Sequence, residues 1–159
     1  MAKDIKDLDK DLKQLQKQLE KAFDKNVKTV YNKIGKEITS SIKDRWIDGQ
    51  GVEKHGAKQS ALKELAESTI KNRKYKQKKG KLDKRTKPEK SNLIDSGKTI
   101  NQLHFNSKKD ELIIGVKNRE EIIGYQEENN RKILYLSSEE TQVIDNIINK
   151  EIEDILKKL

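Results

Sequence analysis

IKDLDKDLKQLQKQLEKAFDKNVKTVYNKIGKEITSSIKDRW, residues 5–46, places an apolar side chain at nearly every third or fourth position: Ile5, Leu8, Leu12, Leu15, Leu19, Ala22, Phe23, Val27, Val30, Ile34, Ile38, Ile42 and Trp46. Steps of three and four match the ~3.6-residue turn of an α-helix and not the alternation of a strand, so the stretch predicts a helix. From Ile5 to Leu19 the steps alternate as in a coiled-coil seam, whereas from Val30 onward they are all four and drift around the helix axis. The two halves are therefore expected to face different partners. Unbroken, such a helix is about 66 Å long at ~1.5 Å per residue. A domain of this size spans roughly 40 Å, so part of the helix must project or break. Asn26 and Gly35 are the weak helix formers where a break costs least, and Asp48-Gly49-Gln50-Gly51 is a stop. The seam residues Leu8, Leu12, Leu15 and Leu19, together with Trp46 at the end of the helix, are expected at an interface.

Working outward, residues 1–48 form this helix and 49–159 the α+β body of the same single domain. After a Gly-containing loop, Leu62, Leu65, Ala66, Thr69 and Ile70 predict a short second helix over 60–72. Residues 73–91 follow as a mobile loop, because Gly80 and the sole proline, Pro88, interrupt it and only Tyr75 and Leu82 can be buried. The period then falls to two. Leu103, His104 and Phe105 predict one strand and Leu112 to Val116 another, around Asn106 to Asp110, which makes a β-hairpin. Ile122 to Gln126 and Lys132 to Leu136 predict two further short strands, completing a small antiparallel sheet. Ser137 or Ser138, followed by Glu139 and Glu140, starts a helix that carries Val143, Ile144, Ile147, Ile148, Ile152, Ile155, Leu156 and Leu159, a stripe wide enough to pack on that sheet.

Leu, Ile, Val and Phe make up 39 of 159 residues, enough to fold but on a lean core. Lean cores are often completed by neighbouring subunits, so an oligomer is expected. With no cysteine, a disulfide framework, a thiolate metal site and a cysteine nucleophile are excluded. No apolar run approaches a membrane span or a signal-peptide core, so no membrane partner is expected.

Residues 71–90 hold eleven Lys or Arg against Asp83 and Glu89, which is +9 and equals the net charge of the whole chain. The remaining residues are balanced, so any electrostatic partner belongs to this segment, with Lys76, Lys78, Lys79, Lys84 and Arg85 as its candidate contacts. Nucleic acid is one such partner. Against it, a single tyrosine supplies little stacking surface, and a solvated loop docking on an acidic neighbour needs nothing more than the charge. Catalysis lacks parts: the two histidines, His55 and His104, stand in a polar loop and a strand, and no metal, phosphate-loop or nucleophile motif accompanies them. No catalytic, cofactor or metal residues are expected, and the carboxylates pair with lysines along helix surfaces.

The order of motifs from Ile38 to about Lys157 resembles the tail-completion and head-to-tail joining proteins of tailed bacteriophages, including the virion-morphogenesis proteins of phage Mu and its relatives. That family has a Leu-x-x-x-Thr helix, a variable basic loop, a Leu-x-Asp-Ser/Thr-Gly motif, a β-hairpin, a Tyr-centred segment, an Arg-led strand and a C-terminal helix. Here these positions hold Leu65 to Thr69, Lys71 to Lys90, Leu93-Ile94-Asp95-Ser96-Gly97, Leu103 to Val116, Ile122 to Gln126, Arg131 to Leu134 and the helix after Ser137. The chain departs from the pattern at Lys132, where a proline is usual, and at Tyr125-Gln126-Glu127. Asp95 or Ser96 is expected to close a turn onto backbone amides, with Gly97 at positive φ. The resemblance implies a structural virion protein, assembled in the host cytoplasm into a homo-oligomeric ring, hexamer or dodecamer, in the virion neck. There it would act as a tail terminator or neck subunit joining tail tube to head connector, in contact with neck, connector and tube proteins and transiently with packaged DNA. The rival expectations are a stand-alone nucleic-acid-binding protein using Lys71 to Lys90 and a coiled-coil adaptor dimerising through its N-terminal helix.

Overall fold

A computed structural model describes residues 5–118, 120–128 and 133–158, with residues 5–11, 120 and 127 described by their backbone alone. The fold is α+β. A single unbroken helix, α1 (Ile5–Asp48), is its spine. It is followed by a two-stranded ladder, β1 (Gln50–Val52) and β2 (Gln59–Ala61), and by α2 (Glu67–Lys78). A one-turn helix α3 (Lys98–Asn101) leads into the hairpin β3 (Leu103–Ser107) and β4 (Leu112–Val116), then α4 (Glu120–Glu128) and the C-terminal α5 (Ser138–Leu156).

The four-residue steps of the second half of α1 become the core. Val30, Ile34, Ile38, Ile42 and Trp46 are all buried, joined by Ile94, Ile100, Leu103, Val116, Ile123 and Ile133. The antiparallel β3–β4 register places Leu103 opposite Val116, Phe105 opposite Ile114 and Ser107 opposite Leu112. Residues 103, 105 and 107 are the more buried positions of β3 and His104 and Asn106 its exposed ones, the alternation a half-buried strand requires. Ser107 Oγ donates to Asn32 Oδ1 (2.9 Å), so this face lies on α1. On α5, Ile144, Ile147 and Ile148 pack into the same core that receives the strands.

Neither weak helix former breaks α1. Asn26 Nδ2 donates to the Ala22 carbonyl one turn back (3.1 Å), and Gly35 lies under the Phe105 ring. The helix therefore projects. α5 runs antiparallel to it, from Arg45 and Ser41 beside Glu140, through Lys33 beside Glu151, to Leu19 and Phe23 beside Ile152 and Ile155. Residues 5–18, about 21 Å of helix, extend beyond that end.

Several expectations are corrected. The second helix begins at Glu67 and runs to Lys78, later than 60–72, because Lys, Gln and Arg are good helix formers and Arg73 has a buried anchor on its inner side. Residues 73–78 thus belong to a helix and not to a loop. The Gly-containing loop holds the β1–β2 ladder, with Val52 buried. Ile122 to Gln126 is helical, part of α4: so short an apolar run satisfies its backbone within a helix as well as in a strand, and periodicity alone does not separate the two states. Residues 133–136 form no ladder, and 129–132 lie outside the described residues. The sheet is two separate two-stranded ladders.

Candidate functional site

A buried clamp fixes α5 on α1. Ser137 is the N-cap of α5: its hydroxyl accepts from Glu140 N (3.2 Å), and Glu140 Oε2 accepts from Ser137 N (2.8 Å), which closes a capping box. The same Glu140 carboxylate accepts from Arg45 Nε (3.2 Å) and Ser41 Oγ (3.0 Å), and both ionic side chains are 1% exposed. Arg45 Nη2 donates to the Ile133 and Tyr135 carbonyls, and Trp46 Nε1 also donates to Ile133 O (3.0 Å). Burial pushes the Arg45 guanidinium below its usual value, against the pull of Glu140. Trp46, expected at an interface, is fully buried here and belongs to the core, because its indole N–H finds a carbonyl inside the molecule.

The basic segment is organised around Asn92, which is 1% exposed. Its Oδ1 accepts from Thr86 Oγ1 (2.8 Å), Arg73 Nη1 (3.3 Å) and Ile94 N (3.4 Å), and its Nδ2 donates to the Ile47 carbonyl (3.2 Å) at the end of α1. The buried Arg73 also donates to the Lys90 (2.8 Å) and Asn92 (3.1 Å) carbonyls. Further along, Arg85 grips Asp83 in bidentate fashion (2.9 and 2.8 Å) and reaches Asn101 Oδ1 (3.0 Å). The Arg85 hydrogen bond holds the Asp83 carboxyl well below the usual carboxylate range, at about 2. Lys74 likewise lowers Glu89, 3.0 Å away.

With both of its carboxylates engaged and Arg73 buried, the segment presents most of its lysines to solvent. Lys76 turns to Asp95, whereas Lys78, Lys79, Lys81 and Lys84 are exposed and form no ion pair among the described residues. Tyr75 is 61% exposed, with Lys79 Nζ 5.8 Å from its ring centre. Of the five expected contacts, Lys78, Lys79 and Lys84 are therefore free surface, while Lys76 and Arg85 are structural. Lys81 joins them without having been singled out.

The turn before the hairpin is partly as expected. Gly97 has φ +76° and caps α3. The Asp95 side chain does not close onto backbone amides: one oxygen pairs with Lys76, the other has no hydrogen-bond partner among the described residues, and its carbonyl accepts from Asp83 N (2.7 Å). Lysine at 76 captures it first. Ser96 is exposed. An open cleft of about 630 Å³ lies beside this turn, with Thr69, Arg73, Asp95, Lys98 and Tyr125 among its lining residues. Among the described residues no group of three or more His, Asp or Glu is placed to hold a metal ion. His55 Nδ1 accepts from Leu136 N (3.2 Å) with its ring against Tyr135, and His104 is exposed on β3.

A second surface lies at the projecting end. Leu12 and Leu15 are 56% and 42% exposed, and Leu19 is half-buried. Leu8 lies in α1 with its side chain outside the described part. Next to them a groove of about 540 Å³ is lined by Leu19, Phe23, Ile152 and Ile155, with Glu20 and Asp24 at its edge. Sequence reading named the arm but not the groove. Its signal was the run Ile152, Ile155, Leu156 at the end of α5. Comparison with protein-family models, with curated proteins and with solved structures finds no match for this chain.

Proposed function

We propose that this chain is a structural virion protein of a tailed phage, a tail-completion, tail-terminator or neck subunit that joins tail to head connector as a ring. The observation that carries the reading is a body locked by a buried ion pair and a capping box, from which a helical arm projects with Leu12 and Leu15 exposed. Exposed leucines at seam spacing on a rigid arm are suited to subunit assembly, since apolar surface of this kind gains free energy only when another chain covers it. The motif order noted above, with α2, the basic segment, the Gly97 turn, the β3–β4 hairpin and α5 in sequence, supports the same reading. The test is particle assembly. Deleting the gene in its phage is expected to leave separate heads and tails by electron microscopy, and normal tailed particles without the protein would overturn the proposal.

A second reading, nucleic-acid binding, is favoured by the exposed lysines Lys78, Lys79, Lys81 and Lys84 of the basic segment and by the exposed Tyr75, whose ring lies 5.8 Å from Lys79 Nζ. Four phosphate contacts on duplex DNA give a log–log salt slope of about −3.6, from roughly −0.9 per contact. Replacing the four lysines with glutamine is expected to abolish any such salt-dependent binding while leaving the fold intact. Loss of particle joining with no nucleic-acid binding in the parent protein assigns the segment to docking instead.

A further inference from the structure

We propose that α4 of one copy of this chain docks on the basic outer face of α2 of another, so that Glu121 and Glu128 meet Lys71 and Lys78 across a contact centred on Tyr125 and Tyr75. The two helices carry matching stripes. On α4, Glu121, Tyr125 and Glu128 stand at i, i+4 and i+7, one face of a helix, and all three are exposed. On α2, Lys71, Tyr75 and Lys78 have the same spacing, and they too are exposed. Each stripe spans about 10 Å of helix at ~1.5 Å per residue, so the end charges and the central rings come into register together.

Charge selects the occupant. The sequence of α4 holds four glutamates and no cation, whereas α2 holds five Lys or Arg against Glu67. Glu121, Glu128, Lys78 and the adjoining Lys79 form no ion pair among the described residues. The carboxylates next to α2 leave its stripe basic: Glu67 approaches Lys71 only to 4.0 Å, with side chains 91% and 79% exposed, and Glu89 is taken up by Lys74. Either stripe repels its own copy and attracts the other. Gly124 is an independent sign of a partner. A glycine inside a helix costs helix stability, and this one lies three residues after Glu121 and four before Glu128, on the border of the same face. At Gly35 the ring of Phe105 takes the place of the missing side chain, but a Cβ on Gly124 would meet nothing within 4 Å among the described residues. That open space lets a second helix approach the stripe and admits the Tyr75 ring.

The contact joins unlike faces, as the step from one ring subunit to the next does, but it is tested without the virion reading, on the purified full-length chain. Sedimentation at low salt is expected to show concentration-dependent association that is lost near ~1 M salt, where the screening length falls to about 3 Å. Lys71→Glu with Lys78→Glu, and in another chain Glu121→Lys with Glu128→Lys, are each expected to weaken association at least about tenfold with the circular dichroism spectrum unchanged. Mixing these two altered chains is expected to restore it, because their reversed stripes are again opposite in sign. Gly124→Leu is expected to weaken association while raising the thermal midpoint of the fold. The chain has no cysteine, so a mixture of Tyr75→Cys and Tyr125→Cys is expected to form a disulfide-linked pair that neither variant forms alone. A monomer at every concentration overturns the proposal, as does association that survives high salt. So do a mixture of the reversed chains that stays apart, tolerance of Gly124→Leu, and self-linking of either cysteine variant. Each of these failures leaves the particle-assembly test of the virion reading untouched.

Discussion

The ring of Phe105 occupies the space that a Cβ on residue 35 would fill: built on Gly35, that atom would stand 2.3 Å from Phe105 Cδ2. The glycine in the middle of α1 is thus a packing site for the hairpin and not a hinge. Gly35→Ala is expected to destabilise the protein by about 1–2 kcal/mol, because overpacking of about 1–3 kcal/mol outweighs a gain of up to ~1 kcal/mol in helix propensity. Urea denaturation measures it. Adding Phe105→Leu is expected to recover part of the loss, and a strictly additive double variant would show that the ring does not restrict residue 35.

Glu140 serves α1, the chain before α5 and the start of α5 together. Glu140→Ala strands the buried Arg45 charge and is expected to cost about 3–5 kcal/mol. Ser137→Ala removes only the cap and is expected to cost about 1 kcal/mol. The ratio of the two losses in chemical denaturation checks the clamp; equal losses would reduce Glu140 to a capping residue.

The Asp83–Arg85 pair gives stability a defined acid limb. Because the folded carboxyl is depressed to about 2 from an ordinary 3.8, its contribution is fully present above the ordinary value and is lost as pH falls from there through about 2. Asp83→Asn is expected to flatten that limb in urea titrations taken between those limits. Gly97→Ala, whose Cβ would meet Asp83 Oδ2 at 2.0 Å at a positive φ, is expected to flatten it as well. An unchanged limb in both variants would place the acid sensitivity elsewhere.

Asn92 holds the basic segment to the end of α1 through Thr86, Arg73 and Ile47. Asn92→Ala leaves Arg73 and Thr86 short of an acceptor inside the protein, a loss of about 2–3 kcal/mol. Its clearest readout is limited trypsin digestion, where cleavage between Lys78 and Lys90 is expected to speed up well before the rest of the chain is cut. Equal rates in parent and variant would show that Asn92 does not order the segment.

Much of this was legible in the sequence. The four-residue steps from Val30 to Trp46 marked a helix with one continuous apolar face, the alternation in 103–116 marked the hairpin, and Ser137 with Glu140 marked the start of α5, because each is a local pattern whose period or capping chemistry is its own signal. The concentration of charge between Lys71 and Lys90 was also a matter of counting. What only the tertiary structure decided depends on partners far apart in the chain. Arg73 resembles a surface residue until Lys90 and Asn92 supply its acceptors, and Trp46, expected at an interface, joins the core where Ile133 accepts from its indole. Ile122 to Gln126 is a helix that its short apolar run left indistinguishable from a strand, and Gly35 is helical beneath the ring of Phe105, seventy residues away. The groove beside the arm exists only because α5 ends at the level of Leu19, a matter of how two helices register against each other, which local periodicity leaves open.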